Sequence, residues 1–215
     1  MIRKCLAYFF VCVLLFTACN NSNKKTEEKL DTTQREAIDQ PEEVQQISEV
    51  ITRFVRAYIS QDNEKINALI HPEEGMAIIY RPGAADTFTL VDTFDFKKPV
   101  PEYYAYPPLQ NDQVLTFEKL PVYDCGTMKW DKVGFFCDTT ANSQTQLLQT
   151  ILKFEEEFEP KKHDETNKKR IQELENGSYR VILAQDEESL IFHVKQFGNS
   201  WYVTLLDRAY GGCDA

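Results

Sequence analysis

The sequence predicts an α+β fold in which N-terminal helices pack on an antiparallel sheet that ends in a three-strand meander. Two observations support it: apolar residues recur at helical spacing early in the domain, and alternating segments joined by short polar turns fill the C-terminal end. The 14 Phe and 10 Tyr in 215 residues favour a well-packed interior. About 175 residues remain after the polar N-terminal part, which is enough for one domain with a sizeable core.

The first eighteen residues have the organisation of a signal peptide. Arg3 and Lys4 supply positive charge, and an apolar run of twelve residues follows over 5–16. Twelve helical residues span about 18 Å, too short for a bilayer core of about 30 Å, so the run predicts a cleaved segment. The alternative is a buried N-terminal helix of a cytosolic protein, but a polar stretch follows the run at once.

The residues Phe16-Thr17-Ala18-Cys19 resemble the lipobox of bacterial lipoproteins, although Phe16 stands where Leu is usual. The resemblance implies that Cys19 becomes the N-terminus and carries acyl chains, palmitate among them, that anchor the chain in a lipid bilayer. Under the best-known sorting rule, Asn20 after the cysteine implies the outer membrane of a Gram-negative bacterium. This predicts a lipid-anchored protein of the cell envelope.

A polar tether separates the anchor from the domain. Residues 19–40 contain few apolar side chains, and as a flexible coil they would reach about 25 Å. Loss of residues 1–18 removes two positive charges and no acids, so the net charge moves from −10 to −12. Such an acidic chain repels phosphates, so we expect no nucleic-acid partner. The domain then covers 41–215, with an insertion near 97–142.

Two helices are predicted to open the domain. Pro41 suits a first helical position, and apolar residues at helical spacing continue from there to Tyr58. Asp62 predicts the N-cap of a short second helix, which Pro72 ends.

Strands are predicted over 76–81 and 88–96, the second with Asp92 on one face among four apolar residues: Phe88, Leu90, Phe94 and Phe96. A loop rich in Pro and Tyr follows over 97–111. Short irregular strands are expected around Trp130.

The C-terminal half predicts two helices and the meander. A helix with an apolar stripe is expected over 143–158, and the charged stretch 161–175 predicts a weaker, solvent-facing helix. Three strands with short polar turns follow, over 179–184, 190–197 and 201–208.

The closing segment Gly198-Asn199-Ser200-Trp201-Tyr202-Val203 and the segment Ile78-Ile79-Tyr80-Arg81-Pro82-Gly83, with this order of elements, resemble the cystatin-like superfamily typified by nuclear transport factor two. The resemblance covers 41–96 and 178–208 and extends to uncharacterised secreted lipoproteins of that fold. It implies a curved sheet that forms a cone, the natural place for a ligand. The fold hosts isomerases, dehydratases, transport adaptors and binding modules, so it does not decide the function.

The candidate site lies in that cone. A carboxylate facing an apolar pocket has a raised pKa, so Asp92 is the candidate general base, with Tyr80 as a second catalytic candidate. Tyr80, Arg81, Asp92 and Trp201 are the candidate binding residues, and Asp207 with Arg208 could line the same mouth. The alternative is that a bulge exposes Asp92 or that it pairs with Arg81.

The three histidines predict structural roles. His193 falls on the strand face opposite Phe192 and Val194, and His71 stands at a helix end, where a cation is favourable. His163 lies in a charged stretch without a second ligand group, so no metal site is predicted. The chain also lacks a Gly-rich phosphate loop and a nucleophile elbow, so no cofactor is expected.

Cysteine spacing predicts a disulfide. Cys125 and Cys137 bracket a segment that reads as a strand pair, and a loop of that size closed by a disulfide gains about 3 kcal/mol. A bridge from either one to Cys213, or free thiols, are the alternatives.

Three functions fit these observations. The first is a membrane-tethered, non-enzymatic module that binds a small ligand or an envelope protein through a pocket or through the Tyr-rich loop 97–111. The second is an isomerase or dehydratase that uses Asp92. The third is a structural envelope protein without a ligand.

Overall fold

The computed structural model describes residues 41–140 and 147–209, all within one compact unit, Gln34–Ala215. Its helices are α1 (Pro41–Ile59), α2 (Asn63–Asn67), α3 (Leu147–Phe158) and α4 (Glu165–Glu175). Its strands are β1 (Met76–Tyr80), β2 (Thr87–Val91), β3 (Leu115–Phe117), β4 (Tyr123–Asp124), β5 (Lys129–Trp130), β6 (Gly134–Cys137), β7 (Tyr179–Ala184), β8 (Leu190–Phe197) and β9 (Ser200–Asp207). The predicted signal peptide, the lipidation site Cys19 and the tether lie outside the described residues.

Seven strands form one mixed sheet in the order β2-β1-β9-β8-β7-β6-β3, and β4 with β5 form a separate hairpin. The α+β class and the antiparallel meander of β7, β8 and β9 are confirmed. The prediction of an antiparallel sheet is wrong in two places, because β1 pairs with β9 and β3 with β6 in parallel. Alternation along the sequence predicts strands but does not determine which of them become neighbours.

Helix α1 covers one face of the sheet. Its apolar stripe is buried as predicted, and Phe54 packs on Phe192 of β8 with ring centroids 4.6 Å apart. Tyr106, from the Tyr-rich loop, packs on Phe94 at 4.5 Å and closes the same layer. Aromatic side chains therefore fill the face on which an open cone was expected.

Strand β2 is shorter than predicted, because hydrogen bonds from α2 divert the chain after Val91. The Asn67 side chain accepts the Phe94 N–H at 2.7 Å and donates to the Phe94 carbonyl at 2.8 Å, and Asn63 accepts the Phe96 N–H at 3.0 Å. Phe94 is thereby buried on the α1 face, whereas Phe88 packs on the opposite face.

Helices α3 and α4 cover the opposite face over β2, β1 and β9. Asp164 caps α4, accepting the Asn167 N–H at 2.7 Å. The predicted solvent-facing character of this helix is wrong in part, because Ile171 and Leu174 are fully buried in the layer that α3 also enters. The first residues of the predicted helix 143–158 lie outside the described residues.

The β4–β5 hairpin covers the other end of that face. Trp130 packs against a buried cluster, and its ring N–H donates to the Ser189 hydroxyl at 2.9 Å. The cluster consists of Phe136, Ile182, Ala184 and Ile191. The turn of this hairpin carries Cys125.

The predicted disulfide between Cys125 and Cys137 is wrong, because Cys137 is a free thiol. Cys137 lies fully buried in β6, whereas Cys125 is exposed in the hairpin turn. Cys125 is disulfide-bonded, but not to Cys137. Burial raises the pKa of the Cys137 thiol. Cys213, the alternative partner, lies outside the described residues.

Candidate functional site

Asp92 does not face a pocket. The strand ends at Val91, and the Asp92 side chain is 77% exposed. Its Oδ1 accepts a hydrogen bond from Nη2 of Arg170 at 2.6 Å, and Nε of the same guanidinium donates to the Glu74 carbonyl at 2.5 Å. A Cβ on Gly75 would lie 2.1 Å from the guanidinium, so only glycine leaves room for this contact. Asp92 therefore fastens α4 to the end of β2, and its assignment as a pocket base is wrong.

Tyr80 and Arg81 stand at the other end of the same hairpin. The register pairs Tyr80 with Thr87 at one end and Met76 with Val91, which precedes Asp92, at the far end. The Tyr80 hydroxyl lies 3.4 Å from the Thr89 hydroxyl.

Arg81 does not pair with Asp92. Its Nε donates to Oδ1 of Asp86 at 2.6 Å across the β1–β2 turn. The two halves of the predicted site are thus separated by the length of a strand.

Trp201 belongs to the core on the α1 face. It is buried beside Tyr179, with ring centroids 6.0 Å apart. Tyr80, Arg81, Asp92 and Trp201 are therefore not brought together in one site.

A buried polar group lies on the face opposite α1, built from β7, β8 and β9. Arg180 donates from Nη2 to Oδ2 of Asp207 at 2.9 Å, and the Ser178 hydroxyl lies 3.0 Å from Nδ1 of His193. His193 has the predicted strand face but is only 1% exposed. Among the described residues, Nε2 of His193 and Nε of Arg180 have no hydrogen-bond partner.

Burial dominates the protonation of this group. It lowers the pKa of His193 to about 3, with a further contribution from the Arg180 guanidinium, so the imidazole is neutral. Burial also raises the pKa of Asp207, and Arg180 opposes that shift.

The group contains Ser, His and Asp but not the arrangement of a hydrolase triad. Asp207 binds Arg180 and not the imidazole, and Ser178 is 2% exposed, so a substrate could not reach it. The sequence does carry a signal for this buried polar group. Arg180 and Asp207 are charged residues that fall within mostly apolar strands. We assign the group a structural role.

Glu155 of α3 forms a second polar group, which the sequence did not single out. Glu155 is buried, with 7% of its surface exposed. Its carboxylate accepts hydrogen bonds from Thr87 Oγ1 at 2.5 Å and Lys162 Nζ at 2.8 Å, and it lies 2.6 Å from His163 Nε2. Burial would raise the pKa of Glu155, but these hydrogen bonds outweigh burial and hold the pKa below its ordinary value. His163 stacks on Phe88, so the group fastens the α3–α4 corner to β2.

His71 follows α2 and lies in a turn. Its Nδ1 accepts the backbone N–H groups of Glu73 and Glu74 at 3.2 and 3.1 Å. Its ring packs on Phe197 and Tyr202. His71 thus closes a turn.

The Tyr-rich loop is held against the sheet by Arg208. The guanidinium lies over the rings of Tyr104 and Tyr106, 4.2 and 4.5 Å from their centroids, and it donates to the carbonyls of Val100, Tyr104 and Ala105. Tyr106 is buried, and Tyr103 is 72% exposed. Most of the loop is therefore committed to the fold.

Open grooves lie along the exposed side of α1. One of about 270 Å³ faces the β8–β9 turn, one of about 400 Å³ faces the segment 111–115, and one of about 410 Å³ faces α2. Arg53 lines the first and third, and Arg56 lines the second and third.

The described part of the chain contains no group of three or more His, Cys, Asp or Glu placed to hold a metal ion. None of its helices combines the length and the apolar character needed to cross a membrane.

Comparisons with protein-family models, with curated proteins and with solved structures found no match to this chain.

Proposed function

We propose that this chain is a lipid-anchored, non-catalytic binding module of a bacterial cell envelope, which holds its partner along the exposed side of α1. The observation that carries the proposal is the arrangement of the grooves: three of them flank this one helix, and each is lined by Arg53, by Arg56 or by both. Concave surface of this size is where ligands and partner side chains bind.

The packing of the sheet supports a non-catalytic role. Helix α1 and the aromatic side chains packed with it cover one face of the sheet. Helices α3 and α4 and the β4–β5 hairpin cover the other face. The carboxylate expected to act as a base, Asp92, is in solvent with Arg170. In the described part of the chain, Asp207 and His193 are buried without access for a reactant.

The anchor rests on the N-terminal sequence. The apolar run, Cys19 and the polar tether support lipidation and a location at the outer membrane. The cystatin-like resemblance is part of the same proposal, and a helix on one face of a sheet that ends in a meander supports it. The two parallel strand pairs depart from a simple antiparallel version of that fold.

Site-specific photo-crosslinking in the native cell tests the binding surface. A photoreactive phenylalanine replaces Thr52, which lines the groove beside 111–115, and in a control it replaces Lys153, which is exposed on α3. We expect a discrete adduct from position 52 and none from position 153. Equal adducts from both positions would contradict a specific surface on α1. If neither position gave an adduct, the result would favour a purely structural envelope protein.

A further inference from the structure

Strand β3 is an edge of the sheet with open backbone groups. It pairs with β6 on one side, and the Glu118 N–H donates to the Cys137 carbonyl at 3.1 Å. Backbone groups alternate sides along a strand, so Thr116 faces β6 as Glu118 does, while Leu115 and Phe117 direct their N–H and C=O groups outward. Nothing in the described part of the chain pairs with that outer side.

The groove of about 400 Å³ begins where this edge begins. It runs between α1 and the segment 111–115, and Val55 and Phe135, both buried, form its floor. Its walls carry exposed apolar side chains, with Ile59 36% and Val114 80% exposed. An apolar floor beside open strand donors and acceptors is the arrangement that accepts an added strand.

The groove also carries an available cation. Arg56 is exposed, and it forms no ion pair with any described residue, whereas Arg53 lies 3.7 Å from Glu49. Asp112, the acid in the groove, accepts a hydrogen bond from the Gln113 side chain at 2.7 Å. Arg56 is therefore available to bind a carboxylate of a partner.

We propose that the outer edge of β3 and this groove bind an extended peptide segment of a partner protein. The segment adds as a strand beside Leu115 and Phe117, places apolar side chains on the Val55–Phe135 floor and directs a carboxylate to Arg56. This inference rests on the proposed function and names the partner class for the same surface.

Two variants of one residue separate backbone pairing from side-chain contact. Phe117→Pro removes an outward N–H and no hydrogen bond to β6, and proline is tolerated on sheet edges. Phe117→Ala removes the same ring but keeps the N–H. Equal urea midpoints for the two variants establish that both are folded.

The mature chain, held in detergent, is used to select binders from a random dodecapeptide library displayed on phage. We expect selected peptides with alternating apolar residues and an Asp or Glu. They should bind Phe117→Ala within about threefold of the wild type and Phe117→Pro about tenfold more weakly. Arg56→Gln should weaken the binding of these peptides about tenfold. It should not change the affinity of analogues in which the peptide's Asp is replaced by Asn or its Glu by Gln.

Backbone N-methylation of the peptides tests the same bonds from the partner's side and does not depend on the folding of Phe117→Pro. Methylation at every second backbone nitrogen should abolish binding of the peptide, because only alternate N–H groups of an added strand face β3. The proposal is overturned if peptides bind both Phe117 variants equally, if no peptide is enriched, or if the edge instead forms a dimer that Phe117→Pro dissociates. An adduct at position 52 that persists in Phe117→Pro would overturn the strand proposal and leave the proposed function intact.

Discussion

The carboxylate of Glu175, at the end of α4, accepts the backbone N–H of Leu148 at 2.7 Å and so caps a helix 27 residues away in the chain. It also accepts the Gln149 N–H at 3.0 Å. Burial raises the pKa of Glu175, and these N–H groups oppose that shift. A negative charge is stabilised at a helix N-terminus, so this contact ties α3 to α4.

Glu175→Ala should therefore reduce the free energy of unfolding by about 2 kcal/mol, because it leaves buried N–H groups without an acceptor. Glu175→Gln keeps one oxygen and should cost about half as much. Urea unfolding measures both. The matched control is Glu173→Ala on the same helix, where the side chain is half exposed, and it should change stability by less than about 0.5 kcal/mol. Equal losses at 173 and 175 would contradict the capping role.

Arg208 should control the order of the Tyr-rich loop. Arg208→Ala removes the donor to three loop carbonyls and the cation between Tyr104 and Tyr106, so we expect proteolysis within 97–111 to become about tenfold faster. Arg208→Lys should be intermediate, because lysine lacks the planar fork. Limited proteolysis followed by mass spectrometry locates the cuts. Unchanged cleavage in Arg208→Ala would show that other contacts hold the loop.

The hydroxyl of Thr87 should stabilise the α3–α4 corner through Glu155. Thr87→Val keeps the shape and removes a donor to a carboxylate, so we expect a loss of about 1.5 kcal/mol at pH 7, whereas Thr87→Ser should lose less. The pKa of Glu155 is lowered in the folded state, so its stabilisation is present above the ordinary value of 4.5 and is lost as the pH falls through the folded pKa. The difference between Thr87→Val and the wild type should therefore shrink in acid. A difference independent of pH would assign the loss to packing.

Burial of neutral His193 should make the fold sensitive to acid. Its pKa is about 3 in the folded state, against 6.5 when unfolded, so between these values the unfolded chain binds the extra proton. Stability should therefore fall as the pH drops from 6.5, by up to about 1.4 kcal/mol per pH unit. His193→Gln lacks this titration, so the stability of the wild type relative to this variant should decline over that range. Asp207 titrates in both proteins, and parallel stability curves would contradict the assignment.

Local pattern was enough to predict the parts of the fold that depend on periodicity. The α1 stripe, the Asp62 cap and the three strands of the meander occur as predicted, because each is determined by side chains within one or two turns or strands. The burial of Tyr106 and its contact with Arg208 depend on residues about a hundred positions apart, so the same pattern could not show that the Tyr-rich loop is folded.

The prediction of the candidate site around Asp92 was wrong for a related reason. The alternation of apolar residues continues through Asp92, but β2 ends before this residue. Hydrogen bonds redirect the chain there: Asn67 binds Phe94, 27 residues later, and Asn63 binds Phe96, 33 residues later. The pair Arg180–Asp207 likewise joins two strands 27 residues apart. Side-chain hydrogen bonds of this range leave no periodic signal, whereas a charge inside an apolar strand does indicate that a partner exists.

The thiol of Cys137 should be free and protected. Alkylation in guanidinium without a reductant, followed by peptide mass spectrometry, should modify Cys137 and leave Cys125 unmodified, because Cys125 is disulfide-bonded. In the folded protein, the reaction of Cys137 should be at least about 100-fold slower, since burial shields the sulfur and its raised pKa suppresses the thiolate. Cys137→Ser should keep the fold while losing stability, because it places a hydroxyl in an apolar layer. A cross-linked peptide containing both Cys125 and Cys137 would restore the spacing-based pairing and would require β6 to leave the centre of its layer.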